Sequence, residues 1–340
     1  MKRTIVLLIA GLFMMTLSGK LYAQDPYFSQ YFMSPMSNNP AMIGKGISDM
    51  RILMNHKNQW WGSSAAAFSI TSLSFEKKVK ASDQALDEFG VGVMLESEAS
   101  NGGLLKNTYF SVGSAYNKKM DEYSTLGIGI NFNYANRFID VNKFQTQSQY
   151  GSFGFNQYLP TNDMIQIPNS NYFDANAGVR YSITKPTWGF NVGASILHNA
   201  KAKVSAYYNS NYSLESRVNF QSSFYQKYRE TDEFGIGLNY DVQGKNHVFS
   251  LGGMYKLQIP GVHLVQKLNL GVWDRFNDAI VPYIGFESKE WCMGFTYDIV
   301  TSDLKTYYNS VQSMELSFGW QFTGGKKHKK PLTHERMFEY

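Results

Sequence analysis

The sequence predicts an all-β protein: a transmembrane, antiparallel outer-membrane β-barrel of fourteen strands, preceded by a short plug or periplasmic docking segment. Three observations carry that prediction. Large apolar residues alternate with small or polar ones from end to end of the chain. An export signal opens it. After that signal, no apolar run approaches the roughly twenty residues that a spanning helix needs. In Leu126, Ile128, Ile130, Phe132 and Tyr134 the large side chains stand against Gly127, Gly129, Asn131 and Asn133. Successive side chains of a strand point to opposite faces, so such a segment has one apolar and one polar face. Repeated segments of about ten residues with this beat, separated by turn residues, are the mark of a membrane barrel. Composition agrees. Aromatics reach 16% and charged residues only 17%, yet mean hydropathy is −0.32, because only every second strand residue needs to meet lipid.

Residues 1–23 read as a secretory signal. Lys2 and Arg3 form the positive end, 5–17 the apolar core, and Leu21-Tyr22-Ala23 precedes the expected cut before Gln24. Residues 24–48 fall outside the alternation. There Phe28, Tyr31, Phe32 and Pro35 make an apolar stripe on a short helix that Pro35 is expected to limit. Exposed aromatics are costly, so they are expected in the lumen or against a partner at the periplasmic mouth.

The barrel is expected over 49–323. Its strands are 49–57, 64–77, 89–98, 108–117, 124–135, 174–183, 187–197, 214–227, 233–241, 247–257, 266–274, 280–287, 291–299 and 313–323. The beat is clearest in Trp188, Phe190, Val192, Ala194 and Ile196, in Trp291, Met293, Phe295, Tyr297 and Ile299, and in Met314, Leu316, Phe318, Trp320 and Phe322. In 214–227 the apolar face is assigned to Leu214, Val218, Phe220 and Phe224, diluted by Ser216 and Ser222. An even strand number places both termini in the periplasm. The short connections 118–123, 184–186 and 287–290 then lie on that side, with 78–88 and 258–265, and the long ones 136–173 and 198–213 outside. The aromatic and amide-rich 136–173 suits a lid or a partner site.

On the polar face, the glycines Gly90/Gly92, Gly127/Gly129, Gly189/Gly193 and Gly235/Gly237 suit either an inserted segment or a water-filled pore. Inward-facing charges read as sparse: Glu96, Arg180, Arg217, Asp298 and Glu315. The one cysteine, Cys292, permits no internal disulfide and is expected on the lumen side. Lys2, Arg3 and Lys20 supply three of the net charge of +5, and the basic tail 324–340 another three, leaving the barrel near −1. Nucleic acid is excluded as a partner for an exported barrel. Outer-membrane lipid is the surrounding expected, and the tail is expected in the periplasm.

No catalytic chemistry is legible. Phosphate-loop, nucleophile-elbow, H-E-x-x-H and C-x-x-C patterns are absent, and the six histidines lack ligand spacing. No enzyme activity, metal or cofactor is expected.

Both ends carry family motifs. Gln24-Asp25-Pro26-Tyr27-Phe28-Ser29-Gln30-Tyr31 is followed by Ser34-Pro35, Asn39-Pro40-Ala41 and Gly44, an N-P-A-x-x-G pattern, then by Asn58-Gln59-Trp60-Trp61-Gly62. The block 278–286 reads D-A-I-V-P-Y-I-G-F, with Trp291, Gly294, Tyr297, Asp298, Ser302, Asp303, Leu304 and Glu315 after it. In that order these resemble the PorP/SprF family, outer-membrane proteins of the type IX secretion system of Bacteroidota; the centre, 136–232, matches less clearly. The resemblance implies an accessory barrel rather than the translocation pore, with periplasmic ring proteins and a peptidoglycan-binding lipoprotein as partners. Cargo bearing a type IX C-terminal signal is a further implied partner. Motif position points to Phe28, Tyr31, Phe32, Pro40, Trp60, Trp61, Asp278, Tyr297, Asp298 and Asp303 as partner-binding or plug residues, with Trp60 and Trp61 read first as interfacial anchors of the aromatic girdle. The alternative is a diffusion channel or small-solute transporter.

Overall fold

The computed structural model describes residues 27–46, 49–61, 67–80, 87–140, 143–156, 158–160, 170–202, 213–228, 232–260, 265–302 and 312–322. The expected signal peptide 1–23, the basic tail 324–340 and Asp303 lie outside them. Fourteen strands form one closed sheet. They are β1 (Met50–Trp61), β2 (Phe68–Lys80), β3 (Glu88–Ser100), β4 (Leu105–Lys119), β5 (Ser124–Ile139), β6 (Ser170–Thr184) and β7 (Trp188–Leu197). The second half holds β8 (Arg217–Lys227), β9 (Glu233–Gln243), β10 (Asn246–Gln258), β11 (Lys267–Arg275), β12 (Ala279–Glu287), β13 (Trp291–Val300) and β14 (Gln312–Phe322). Every strand pairs antiparallel with its sequence neighbours, and β1 closes on β14 in a register that runs from Met50↔Phe322 to Asn58↔Met314. Closure satisfies the backbone of both edges, which a membrane demands.

The two faces divide as the alternation requires. Leu126, Ile128, Ile130, Phe132 and Tyr134 all turn outward and are exposed, as are Met293, Phe295 and Ile299. Between them Asn131, Asn133, Thr296 and Asp298 are buried inside. The barrel is therefore apolar outside and polar within, the reverse of a soluble domain.

Several local expectations are corrected. β8 begins at Arg217, and Leu214 lies before it, buried, with its N–H donated to the Ala202 carbonyl across the loop. β1 continues to Trp61, so the Asn58-Gln59-Trp60-Trp61 motif ends the first strand rather than following it. A register shift between Asn58 and Trp61 accommodates Trp60 at φ +59°, with its N–H donated to Ser313 Oγ at 3.3 Å. Pro35 opens a helical turn (Pro35–Asn38) rather than limiting one, because a first-turn proline has no helical N–H to lose. In the long 140–169 connection, Tyr150–Gly151 pairs with Gly154–Phe155, and Phe153 and Tyr158 stand exposed.

Inward charge is not sparse. Arg51, Lys57, Glu76, Glu98, Asp174, Glu233, Asp241, Lys256, Lys267 and Arg275 join Arg180, Arg217, Asp298 and Glu315 as buried charged residues. Many are paired across strands, as in Arg217–Asp241 at 2.7 Å and Lys256–Glu287 at 3.2 Å. These residues escape a reading tuned to large apolar side chains, since they sit singly on the polar beat.

Candidate functional site

Residues 27–46 occupy the lumen. They fold as a 3-10 turn (Tyr31–Met33), the short turn Pro35–Asn38 and a second 3-10 turn (Pro40–Met42). Phe28, Gln30, Tyr31, Phe32, Met33, Met36, Asn39, Ala41, Met42 and Ile43 are all buried. So short a stretch has no stable conformation alone; contacts with strands right round the ring hold it.

One polar clamp grips its first residues. Ser29 and Gln30 donate their backbone N–H groups to the Glu315 carboxylate at 2.6 and 2.9 Å, and Asn55 Nδ2 donates to it at 2.8 Å. Ser29 Oγ donates to Asp298 at 3.1 Å and accepts from Lys57 Nζ and Arg275 Nη1, each at 3.0 Å. Asp298 holds both cations, Arg275 at 2.8 Å and Lys57 at 3.5 Å. Tyr27 donates its phenol to Asp278 at 3.0 Å, and its ring lies 5.0 Å from Lys57 Nζ and 5.2 Å from the Arg275 guanidinium carbon. Burial, opposed by Arg275, holds the Tyr27 phenol well above its ordinary pKa, so it stays a donor.

The middle of the segment is apolar. Phe32 meets Trp273 at 5.5 Å and Tyr283 edge-on at 5.8 Å between ring centroids, with Met33, Met42, Leu53 and Tyr225 in the same cluster. Met36 and Ile43 pack with Met94 and Ala115 in a second one.

The N-P-A-x-x-G pattern then has a physical reading. Asn39 Oδ1 accepts from Ala41 N at 2.9 Å and caps the second 3-10 turn, while Nδ2 donates to the carbonyls of Val179 on β6 and Ala194 on β7. Pro40 starts the turn, where its fixed φ costs nothing. The wall facing this motif is glycine: a Cβ on Gly178 would collide with Asn39, and one on Gly129 with Pro40. Gly44 sits at φ +69°, donates its N–H to Glu76 Oε2 at 2.7 Å, and comes so close to Gly90 that a side chain there would strike its Cα at 2.6 Å. Glu76 also binds Arg51 at 2.8 Å, and Arg51 reaches the Met42 carbonyl at 3.3 Å. That is a second clamp, on the last residues of the segment.

The residues singled out from sequence divide accordingly. Phe28, Tyr31, Phe32 and Pro40 lie in the lumen; Asp278 and Asp298 build the first clamp. Tyr297 does not join them, because alternation turns it to the outer face of β13. Trp60 and Trp61 end β1, with Trp61 exposed. Sequence reasoning missed Arg51, Lys57, Glu76 and Arg275. The available signal was a charged side chain at an inward strand position, as in Arg51, Leu53, Asn55 and Lys57 on β1.

An export-type barrel with an apolar outer wall and an occupied lumen defines the class, an outer-membrane β-barrel protein. The chain belongs to the family described as type IX secretion system membrane protein PorP/SprF, whose profile matches residues 20–320. No curated protein matches it in sequence. Among solved structures, the chain is similar to a FadL homologue of Pseudomonas aeruginosa, at 11% identity and TM-score 0.49, covering 89% of this chain and 96% of that one. It is also similar to the Ralstonia pickettii toluene transporter TbuX, at 10% identity and TM-score 0.48, covering 85% and 93%. At such identities the likeness is of barrel shape alone.

Proposed function

We propose that this chain is a non-enzymatic outer-membrane component of the type IX secretion system that serves as an interaction platform rather than as a conduit. The observation that carries the reading is the filled lumen: segment 27–46 is clamped at both ends and held between by two apolar clusters and the Asn39 hydrogen bonds, which shuts the interior. The buried carboxylates and cations that a porin would present to solutes are spent here on the segment and on one another. Binding then falls to the surfaces outside the lumen.

Short periplasmic turns and long outer loops are the habit of bacterial barrels. The connections 120–123, 185–187 and 288–290 are short, and 140–169 and 198–216, at the other end, are long. The start of β1 and the end of β14 therefore face the periplasm, and the basic tail 324–340 with them. Periplasmic ring proteins and a peptidoglycan-binding lipoprotein are the partners for that face; secreted cargo with a type IX C-terminal signal is the partner for the other. Mass spectrometry after mild crosslinking of the tagged protein in native outer membranes tests this. Ring proteins, the lipoprotein or cargo are expected in the crosslinked fraction. Recovery of the barrel alone, despite efficient crosslinking, defeats the platform reading and favours a diffusion channel.

A further inference from the structure

The segment in the lumen runs from mouth to mouth, against the direction that the position of β1 suggests. Its last residues sit where β1 begins. Gly44 is bound by Glu76 and Arg51, near the end of β2 and the start of β1, and touches Gly90 near the start of β3. Its first residues sit at the opposite end. Arg275 is the last residue of β11, Asp278 lies in the turn between β11 and β12, and Asp298 stands two residues before the end of β13. Along β1 itself, Arg51 of one clamp and Lys57 of the other are six positions apart, about 20 Å at the ordinary strand rise. With strands tilted 35–45°, that is about 15 Å of depth across the membrane. Tyr27 thus stands at the mouth that also carries the long connection between β5 and β6.

From these positions, and with the short turns on the periplasmic side as proposed above, we propose that the lumen segment begins at the cell-surface mouth, where Tyr27 stands, opposite to the start of β1 and the end of β14. A return to the periplasmic side would need a second pass through a lumen that Phe32, Met33, Met42, Trp273 and Tyr283 already fill. This replaces the expectation that both ends of the mature chain lie in the periplasm. The clamp on Ser29 and Gln30 is the anchor that a pull on the outer end would load.

Three single-cysteine variants in a Cys292→Ser background test it: Asp25→Cys, Phe153→Cys and Lys327→Cys, treated with a membrane-impermeant maleimide. Phe153, exposed in the β5–β6 connection, reports the mouth itself. Asp25→Cys is expected to label on intact cells to the same extent as Phe153→Cys, and Lys327→Cys only after the outer membrane is permeabilised. Labelling of Asp25→Cys together with Lys327→Cys, or in neither condition, overturns the proposal. It would do so without touching the platform reading, which rests on partners recovered rather than on which face the first residues meet.

Discussion

Asp298 ties two strand cations to the lumen segment. It neutralises the buried Lys57 and Arg275 at once and takes the hydroxyl of the half-buried Ser29. Replacing one partner of a buried pair leaves an uncompensated charge, which costs about 3–5 kcal/mol. Asp298→Asn is expected to lower the unfolding free energy by that order, read as the guanidinium midpoint of the detergent-solubilised protein. Tyr297→Phe, one residue away on the outer face, should stay within about 0.5 kcal/mol of the parent. Equal effects of the two would remove any claim that the inward position matters. Gly178 is the complementary case, since the obstacle is steric rather than electrostatic. A valine there would drive its side chain into Asn39 and break the cap of the second 3-10 turn. Gly178→Val is expected to leave the barrel closed while making segment 27–46 accessible to protease, as seen by fragment mass. Protection equal to the parent would mean that the wall yields instead of the segment.

Strands were the most legible part of the chain, and the reason is their two-residue period. Each of the fourteen expected segments overlaps one observed strand, because a run such as Leu126 to Tyr134 has only one register that keeps its apolar set out of a polar interior. Their ends were less legible. β5 runs on to Ile139 through Asn136 and Arg137, residues with no apolar beat, because its ladder with β4 continues to Leu105↔Ile139. The lumen segment was legible only as an exception to the beat. Its aromatic stripe shows that it must be covered, but not by what, since the covering surface is assembled from glycines, single polar residues and scattered inward aromatics such as Trp273 and Tyr283, contributed by distant strands. The same period gives a test of which face meets lipid. Ile130 lies near the middle of β5 and is exposed outward. Ile130→Arg is expected to cost about 2–4 kcal/mol in folding into vesicles, the penalty of a cation near the bilayer midplane. A change below about 1 kcal/mol would place that residue near an interface rather than at mid-depth.

A closed sheet of this size cannot fill itself. Eight strands enclose a space that side chains just occupy, and sixteen to eighteen leave an aqueous channel. Fourteen fall between, so a polar barrel of this width holds either water or an inserted piece of chain. Here the inserted piece is 27–46, and the inner wall is shaped to it: glycines where its backbone presses, carboxylates where its N–H groups point, aromatics around Phe32. Intact protein is therefore expected to be almost silent in planar bilayers. A chain lacking 27–46, with its export signal kept, should give long-lived open steps. Its inner wall would retain most of its cross-strand pairs, such as Arg51–Glu76 and Arg217–Asp241, so the barrel keeps its polar lining while losing its filling. Matching conductance from the two chains would separate occupancy from closure, and the conduit reading would then regain its place. Silence from the intact chain and current from the shortened one would tie closure to the segment itself.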